Sequence, residues 1–215
     1  MAVAAYWQKL PIDSGCQIVT MPPVHVATGL RERKKERTRQ AMIAAAWELF
    51  RKQGYDATMV DDIAERAEVA PRTFFRYFPT KEAVVFHDSA HRFALFQRFL
   101  SEGGEGFEAV SRAFLGIARH YAENREDVLE QFKLIESSPA LAMRLGEIDT
   151  VWVEAIAATL AEGRGRPSER RARILAGAVY GAVRAVLGEW LAEGGRPSLV
   201  RLGKEALHIF SDYEA

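Results

Sequence analysis

The sequence predicts an all-α chain in two parts, a small N-terminal helical unit and a larger helical body. Three observations carry this. Apolar residues recur on single stripes at helical spacing. No stretch shows convincing period-two alternation. Gly and Pro mark the breaks between the stripes, and 215 residues suffice for a sizeable core.

In the first predicted helix, over 31–53, Met42, Ile43, Ala46, Trp47, Leu49 and Phe50 share one stripe, and Gly54 supplies the stop. Thr58 followed by Asp61 reads as an N-cap with an acid in the first turn, opening a short helix to about Ala67. Glu68 and Val69 make a tight turn. A second short helix begins with Pro71 in its first turn and ends near Phe78, because Pro79 disfavours helix before it. Thr80 caps a helix running to about Leu100. "EGGEG" at 102–106 interrupts. Helices are then expected over roughly 106–123, 126–137, 140–162, 168–194 and 198–212, with "GRGRPS" and "GGRPS" as the last two breaks.

The totals exclude more than they assign. Net charge is zero, but "RERKKERTR" at 31–39 sets six basic residues against two acidic ones, a local polyanion contact or a solvated helix start. The single Cys16 excludes an internal disulfide framework. No uninterrupted apolar run approaches the ~20 residues of a membrane helix, and no membrane role is expected. Residues 1–30 lack a basic start and a clean apolar stretch, so they read as a disordered arm rather than a leader, with Met21 as an alternative start. No phosphate loop, dinucleotide fingerprint, G-x-S-x-G or H-E-x-x-H occurs, so neither enzyme activity nor a cofactor is expected. His87 and His91 lie four apart but lack a third ligand, so no metal is expected. "RGRP" at Arg164–Pro167 resembles a minor-groove clamp and reads more simply as a Gly-stop, Pro-start loop.

The informative stretch is "EVAPRTFFRYFPTKE", Glu68 to Glu82. On a helix over 71–78, Phe74 and Phe78 fall on one face with Tyr77 at its edge. Arg72, Thr73 and Arg76 fall opposite, with Phe75 on a flank. One face is suited to burial and the other to a DNA major groove, where Arg pairs with guanine and apolar groups meet thymine methyls. Two short helices joined by a tight turn match a helix-turn-helix. The pattern alone fits equally a small amphipathic hairpin with solvated arginines.

From Thr38 to about Phe86 the chain resembles the DNA-binding domain of the TetR family of transcriptional regulators. Leu49-Phe50, Gly54-Tyr55, Thr58, Ile63-Ala64, Val69, Thr73 to Phe78 and Lys81-Glu82 appear in the family's order. Glu68 departs from the usual Gly, and Ala70 from the usual Ser or Thr. "RTFFRYF" with "AVVFHD" is similar to the actinobacterial type, some members of which bind acyl-thioester-like ligands. The resemblance implies three parts: the arm over 1–30, a helix-turn-helix domain over 31–86 and a ligand-binding and dimerisation domain over 87–215. It implies a cytoplasmic homodimer that represses from a palindromic double-stranded operator until a small-molecule effector binds. An activator or a ligand-independent regulator remains open, and beyond them a helical scaffold or enzyme. It places Pro71, Arg72, Thr73 and Phe75 at bases, and Thr58, Arg76, Tyr77 and Lys81 at phosphates. It puts the effector among Phe93, Phe96, Phe114, His120, Phe132, Trp152 and Ile156. For the dimer interface, glycines inside the 168–194 helix add an independent sign of close helix packing. The expected residues are Gly177, Gly181, Val183, Leu187, Trp190, Leu207 and Phe210.

Overall fold

The computed structural model of the chain describes residues 29–162 and 168–210. The expectations for residues 1–28, for the loop at Arg164–Pro167 and for 211–212 lie outside the described residues. The elements among the described residues are all helices: α1 (Leu30–Gln53), α2 (Val60–Arg66), α3 (Pro71–Tyr77), α4 (Glu82–Val85), α5 (Ser89–Glu102), α6 (Gly106–Glu123), α7 (Arg125–Glu136), α8 (Pro139–Ala161), α9 (Glu169–Ala192) and α10 (Leu199–His208). The all-α expectation holds, with a helix-turn-helix unit leading into a helical body.

In the head, α1 stops at Gly54, whose φ of 82° favours glycine and whose N–H reaches the Phe50 carbonyl. α2 packs on α1, and α3 on α2. Met42, Ala46, Ile63, Ala64 and Phe74 have no exposed surface, and Phe50, Tyr55 and Phe78 are also buried. The Phe74 and Phe78 rings lie 5.6 Å apart. Each such side chain contributes about 2–3 kcal/mol on burial.

Three local readings change. Thr58 does not cap α2: Met59 is the N-cap, and its N–H donates to the Asp62 carboxylate at 3.0 Å. The Thr58 hydroxyl instead donates back to the Gly54 carbonyl at 2.7 Å. The expected 81–100 helix is two helices, broken at Phe86–Asp88, because the turn there is held by side chains from distant elements described below. Lys81 rather than Thr80 is the N-cap of α4, although the Thr80 hydroxyl accepts from the Ala83 N–H at 3.3 Å.

In the body, α6 packs against α5, α8 and α10, and α9 lies between α8 and α10. Phe96 stacks between Phe114, at 5.1 Å, and Trp152, at 4.6 Å. Gly116 lets α5 and α6 approach, since a Cβ there would stand 2.5 Å from the Phe99 ring. By length and composition α9 would suffice to cross a membrane, although charged residues interrupt its apolar ones. Here it serves the helical body, and Arg173, Arg184 and Glu189 lie along it.

Glu68 occupies the turn between α2 and α3 at φ 55°, the left-handed region where a side chain is strained. This is the position where the resemblance expects Gly. Glu68→Gly should stabilise the fold by about 1 kcal/mol, read as a rise of about 2–4 °C in the thermal midpoint.

Candidate nucleic-acid interface and interior cavity

Burial of Phe74 and Phe78 decides which side of α3 faces outward. Pro71, Arg72, Phe75 and Arg76 are exposed, and Thr73 and Tyr77 are half-buried at the rims. Phe75 keeps 52% of its surface open although its ring stands edge-on to Phe74 at 5.6 Å. The Arg76 guanidinium lies over the Tyr77 ring at 5.6 Å. This face carries two guanidinium groups, a hydroxyl and an apolar ring, the chemistry of direct readout and phosphate contact. The N-cap of α3 is Ala70, which offers no side-chain cap.

Two residues assigned to phosphates sit differently. Thr58 is fully buried with its hydroxyl engaged, so it presents nothing to a phosphate. Lys81 turns inward, donating to the carbonyls of Tyr55 at 2.8 Å and Thr58 at 2.9 Å. Its ammonium stands 4.0 Å from the Tyr55 ring centroid. Tyr55 donates to the Glu82 carboxylate at 2.8 Å. Burial pushes against ionisation of Glu82. Its own backbone N–H, the Tyr55 and Thr80 hydroxyls and nearby Lys81 outweigh that and hold its pKa below the usual carboxylate value. Lys81 therefore ties the loop before α2 to the start of α4. Within the basic run, Arg31, Arg33, Lys34, Lys35 and Arg37 are exposed. Arg39 is not: its guanidinium donates to the His87 carbonyl at 2.8 Å and lies over the Phe78 ring at 5.5 Å.

The body holds a narrow, part-open cavity of about 70 Å³ walled by α5 to α9 and Phe86. Of the residues expected to meet an effector, Phe114, Phe132 and Trp152 line this cavity. Phe96 is packed behind Phe114 and Trp152, Phe93 lies against Trp152 at 5.7 Å outside the lining, and Ile156 is core. His120 stands outside it, 6.3 Å from both the His91 and Tyr121 rings. Burial, followed by the Arg92 and His91 charges, lowers its pKa.

Sequence reasoning missed the polar wall. Tyr180 donates to the Asp149 carboxylate at 2.6 Å, and Arg184 faces that carboxylate at 3.5 Å. Burial first, and then Asp149, raise the Tyr180 pKa, so its hydroxyl remains a donor. Opposite, Arg92 is 6% exposed and donates to Asp88 and Gln131, both at 2.7 Å, and to the Tyr121 hydroxyl at 3.2 Å. One signal was available: Arg92 lies one turn before Phe96 on the same apolar stripe, where a cation is unexpected. A second, almost wholly apolar chamber adjoins the first between α6, α9 and α10. Phe114, Ile117, Tyr121, Val183 and Leu187 form the wall common to both.

Of the expected interface residues, Leu187, Trp190 and Leu207 belong to the protomer's own core. Trp190 is 1% exposed, and its indole N–H donates to the Pro197 carbonyl at 3.1 Å. Val183 lines the cavities, and Phe210 packs on Phe107. Gly177 and Gly181 do face outward, with open space where a Cβ would stand. They share a stripe with exposed Ile174, Ala178, Ala185 and Gly188.

Known proteins place this arrangement. Residues 42–87 match the family described as bacterial regulatory proteins, tetR family, and residues 105–212 match the MftR C-terminal domain. The HTH-type transcriptional regulator TcmR of Streptomyces glaucescens is 35% identical over 179 residues, covering 75% of this chain and 76% of that protein. Two solved structures share the fold. FadR of Bacillus subtilis in complex with stearoyl-CoA is 20% identical, with a TM-score of 0.57 over 79% of this chain and 96% of its own. FadR of Thermus thermophilus, a repressor in complex with lauroyl-CoA, is 27% identical, with a TM-score of 0.51 over 80% and 92%. The chain belongs to the TetR family. It is a DNA-binding transcriptional regulator, and the proteins it resembles are regulators rather than enzymes.

If Lys81 acts as a tie, Lys81→Met leaves two carbonyls without their donor. It should lower unfolding stability by about 1–3 kcal/mol in urea titrations. The salt dependence of DNA binding should stay nearly unchanged, whereas a phosphate contact would lower its slope by about one.

Proposed function

We propose that the protein is a homodimeric repressor that binds a palindromic operator in the cytoplasm and is released by a small-molecule effector. The observation carrying this is the two-sided α3: its aromatic face is locked into the head, and its cationic face stands clear of it. Residues up to 86 act as the reading head and those from 87 as the effector and dimerisation domain, with the turn at Phe86–Asp88 between them. Pro71, Arg72, Thr73 and Phe75 meet bases, and Arg76 and Tyr77 meet phosphates. The exposed basic residues of α1 add salt-dependent attraction to the DNA backbone.

The outward stripe of α9 supports the dimer. Ile174, Ala178, Gly181, Ala185 and Gly188 recur at alternating steps of four and three, the seam spacing of closely packed helices. Each glycine inside a helix costs about 1 kcal/mol relative to Ala, a cost that close approach of a second copy explains. Pairing sets the two α3 helices one DNA turn apart, about 34–36 Å.

The two chambers suit an effector with an apolar tail and a hydrogen-bonding head. The bound ligands of the FadR structures, stearoyl-CoA and lauroyl-CoA, have that form, and an acyl thioester is the effector class we favour. The effector acts by linkage: it binds better to the arrangement in which the heads are misplaced for DNA. A tenfold loss of operator affinity needs only ~1.4 kcal/mol of coupling.

The purified protein should retain a labelled fragment of its own promoter in a gel-shift or anisotropy assay. Arg72→Ala should weaken retention by about 1–3 kcal/mol and relax base preference. Arg76→Ala should weaken it on every sequence and lower the salt slope by about one. Binding by both variants equal to the parent would refute the assignment.

A further inference from the structure

The turn at Phe86–Asp88 is held from two sides. From the head, Arg39 donates to the His87 carbonyl at 2.8 Å. From the body, the Gln131 amide donates to the Val85 carbonyl at 2.5 Å. Gln131 also accepts from Arg92 at 2.7 Å, and Arg92 grips the Asp88 carboxylate at 2.7 Å. Arg92 and Gln131 thus hold the hinge while forming part of the cavity wall.

We propose that Arg92 is the effector-sensing residue. An oxygen acceptor on the effector, carboxylate or carbonyl, takes the guanidinium over from Asp88, and the hinge is thereby released. This deepens the reading of the cavity as the effector site and rests on it.

The exchange is physically asymmetric. The Arg92 side chain is 7% exposed and the Asp88 side chain 37%. A buried guanidinium without an acceptor carries a heavy desolvation cost, so Arg92 must always have a partner. Asp88 reaches solvent and can exchange the guanidinium for water at small cost. An incoming acceptor therefore displaces Asp88 rather than Arg92. A ligand with no acceptor at this point fills the cavity and leaves the clamp closed. Tyr121, which accepts from Arg92 at 3.2 Å, stands on the wall shared by the two chambers. That puts the head of a bound amphiphile at Arg92 and its tail toward α10.

The test uses the full-length protein, a labelled fragment of its promoter, and two probes with the same twelve-carbon tail, dodecanoate and 1-dodecanol, below micelle formation. Dodecanoate should bind the parent at least tenfold more tightly than dodecanol and should be the one that lowers operator affinity. Asp88→Asn removes the competing charge at a half-exposed site. It should weaken ligand-free operator binding about fivefold or more and tighten dodecanoate binding. Gln131→Met, which lets go of the Val85 carbonyl, should weaken operator binding and blunt the response to dodecanoate. Opposite signs for operator and dodecanoate in Asp88→Asn separate a clamp from simple loss of stability, which weakens both. Equal affinity for the two probes, binding of neither, or an Asp88→Asn protein unchanged in both assays would overturn the proposal. If the parent fails to retain the promoter fragment, the regulator reading falls and the clamp with it. If the parent retains the fragment and Asp88→Asn is unchanged, only the clamp falls.

Discussion

A helix of seven residues has no stability of its own in water, so α3 exists because Phe74 is buried. That one side chain, with no exposed surface and in ring contact with Phe78, docks α3 on α2 and fixes its rotation. Arg72, Phe75 and Arg76 then point outward, Phe75 with its ring edge-on to Phe74 and Arg76 over the Tyr77 ring. Lys81 reinforces this from below by tying the Tyr55 and Thr58 carbonyls to the start of α4. The chemistry of the outward face is thus a consequence of the packing on the other side of the same helix.

The head is joined to the body at a point where polar groups do work that apolar packing cannot. Carbonyls leaving α4 have no helical partner, and a buried carbonyl needs one. Gln131 and Arg39 supply donors from the body and the head. Arg51–Glu130, at 2.9 Å, and Ser138–Asp56, also at 2.9 Å, add contacts between the same two parts. The Arg51–Glu130 pair is more exposed than the clamp, and exposed ion pairs contribute little, whereas Ser138 is itself buried. The buried Arg92–Gln131 pair is therefore the stiffer part of the connection, and it borders the cavity.

Much of this was legible in the sequence because it rests on apolar spacing. The head from α1 to α3, the outward face of α3 and the tight turn at Glu68 follow from short-range pattern, and the strain in that turn from the resemblance, which expects Gly there. The break at Phe86–Asp88 was not legible, because its cause is Gln131 and Arg39, each more than forty residues away. Thr58 and Lys81 were misread for a related reason. A hydroxyl and an ammonium look solvent-seeking in sequence, and only the fold reveals the inward carbonyls that take them. The expected α9 interface combined the glycines Gly177 and Gly181 with Val183, Leu187 and Trp190, but Leu187 and Trp190 fill the protomer's own core. The small residues Gly177, Ala178, Gly181 and Ala185 are what it leaves facing out. An aromatic-led reading of the cavity found Phe114, Phe132 and Trp152 and passed over Arg92, Asp149 and Tyr180, which give it chemical character.

The central claim is that the outer face of α3 reads bases in the major groove, once from each subunit of a pair. Dimethyl sulfate protection of the bound promoter fragment tests it most directly, because guanine N7 lies in that groove. The account predicts two protected clusters about one helical turn, roughly 10 bp, apart. Binding that leaves every guanine N7 reactive, or that protects a single isolated cluster, would contradict it.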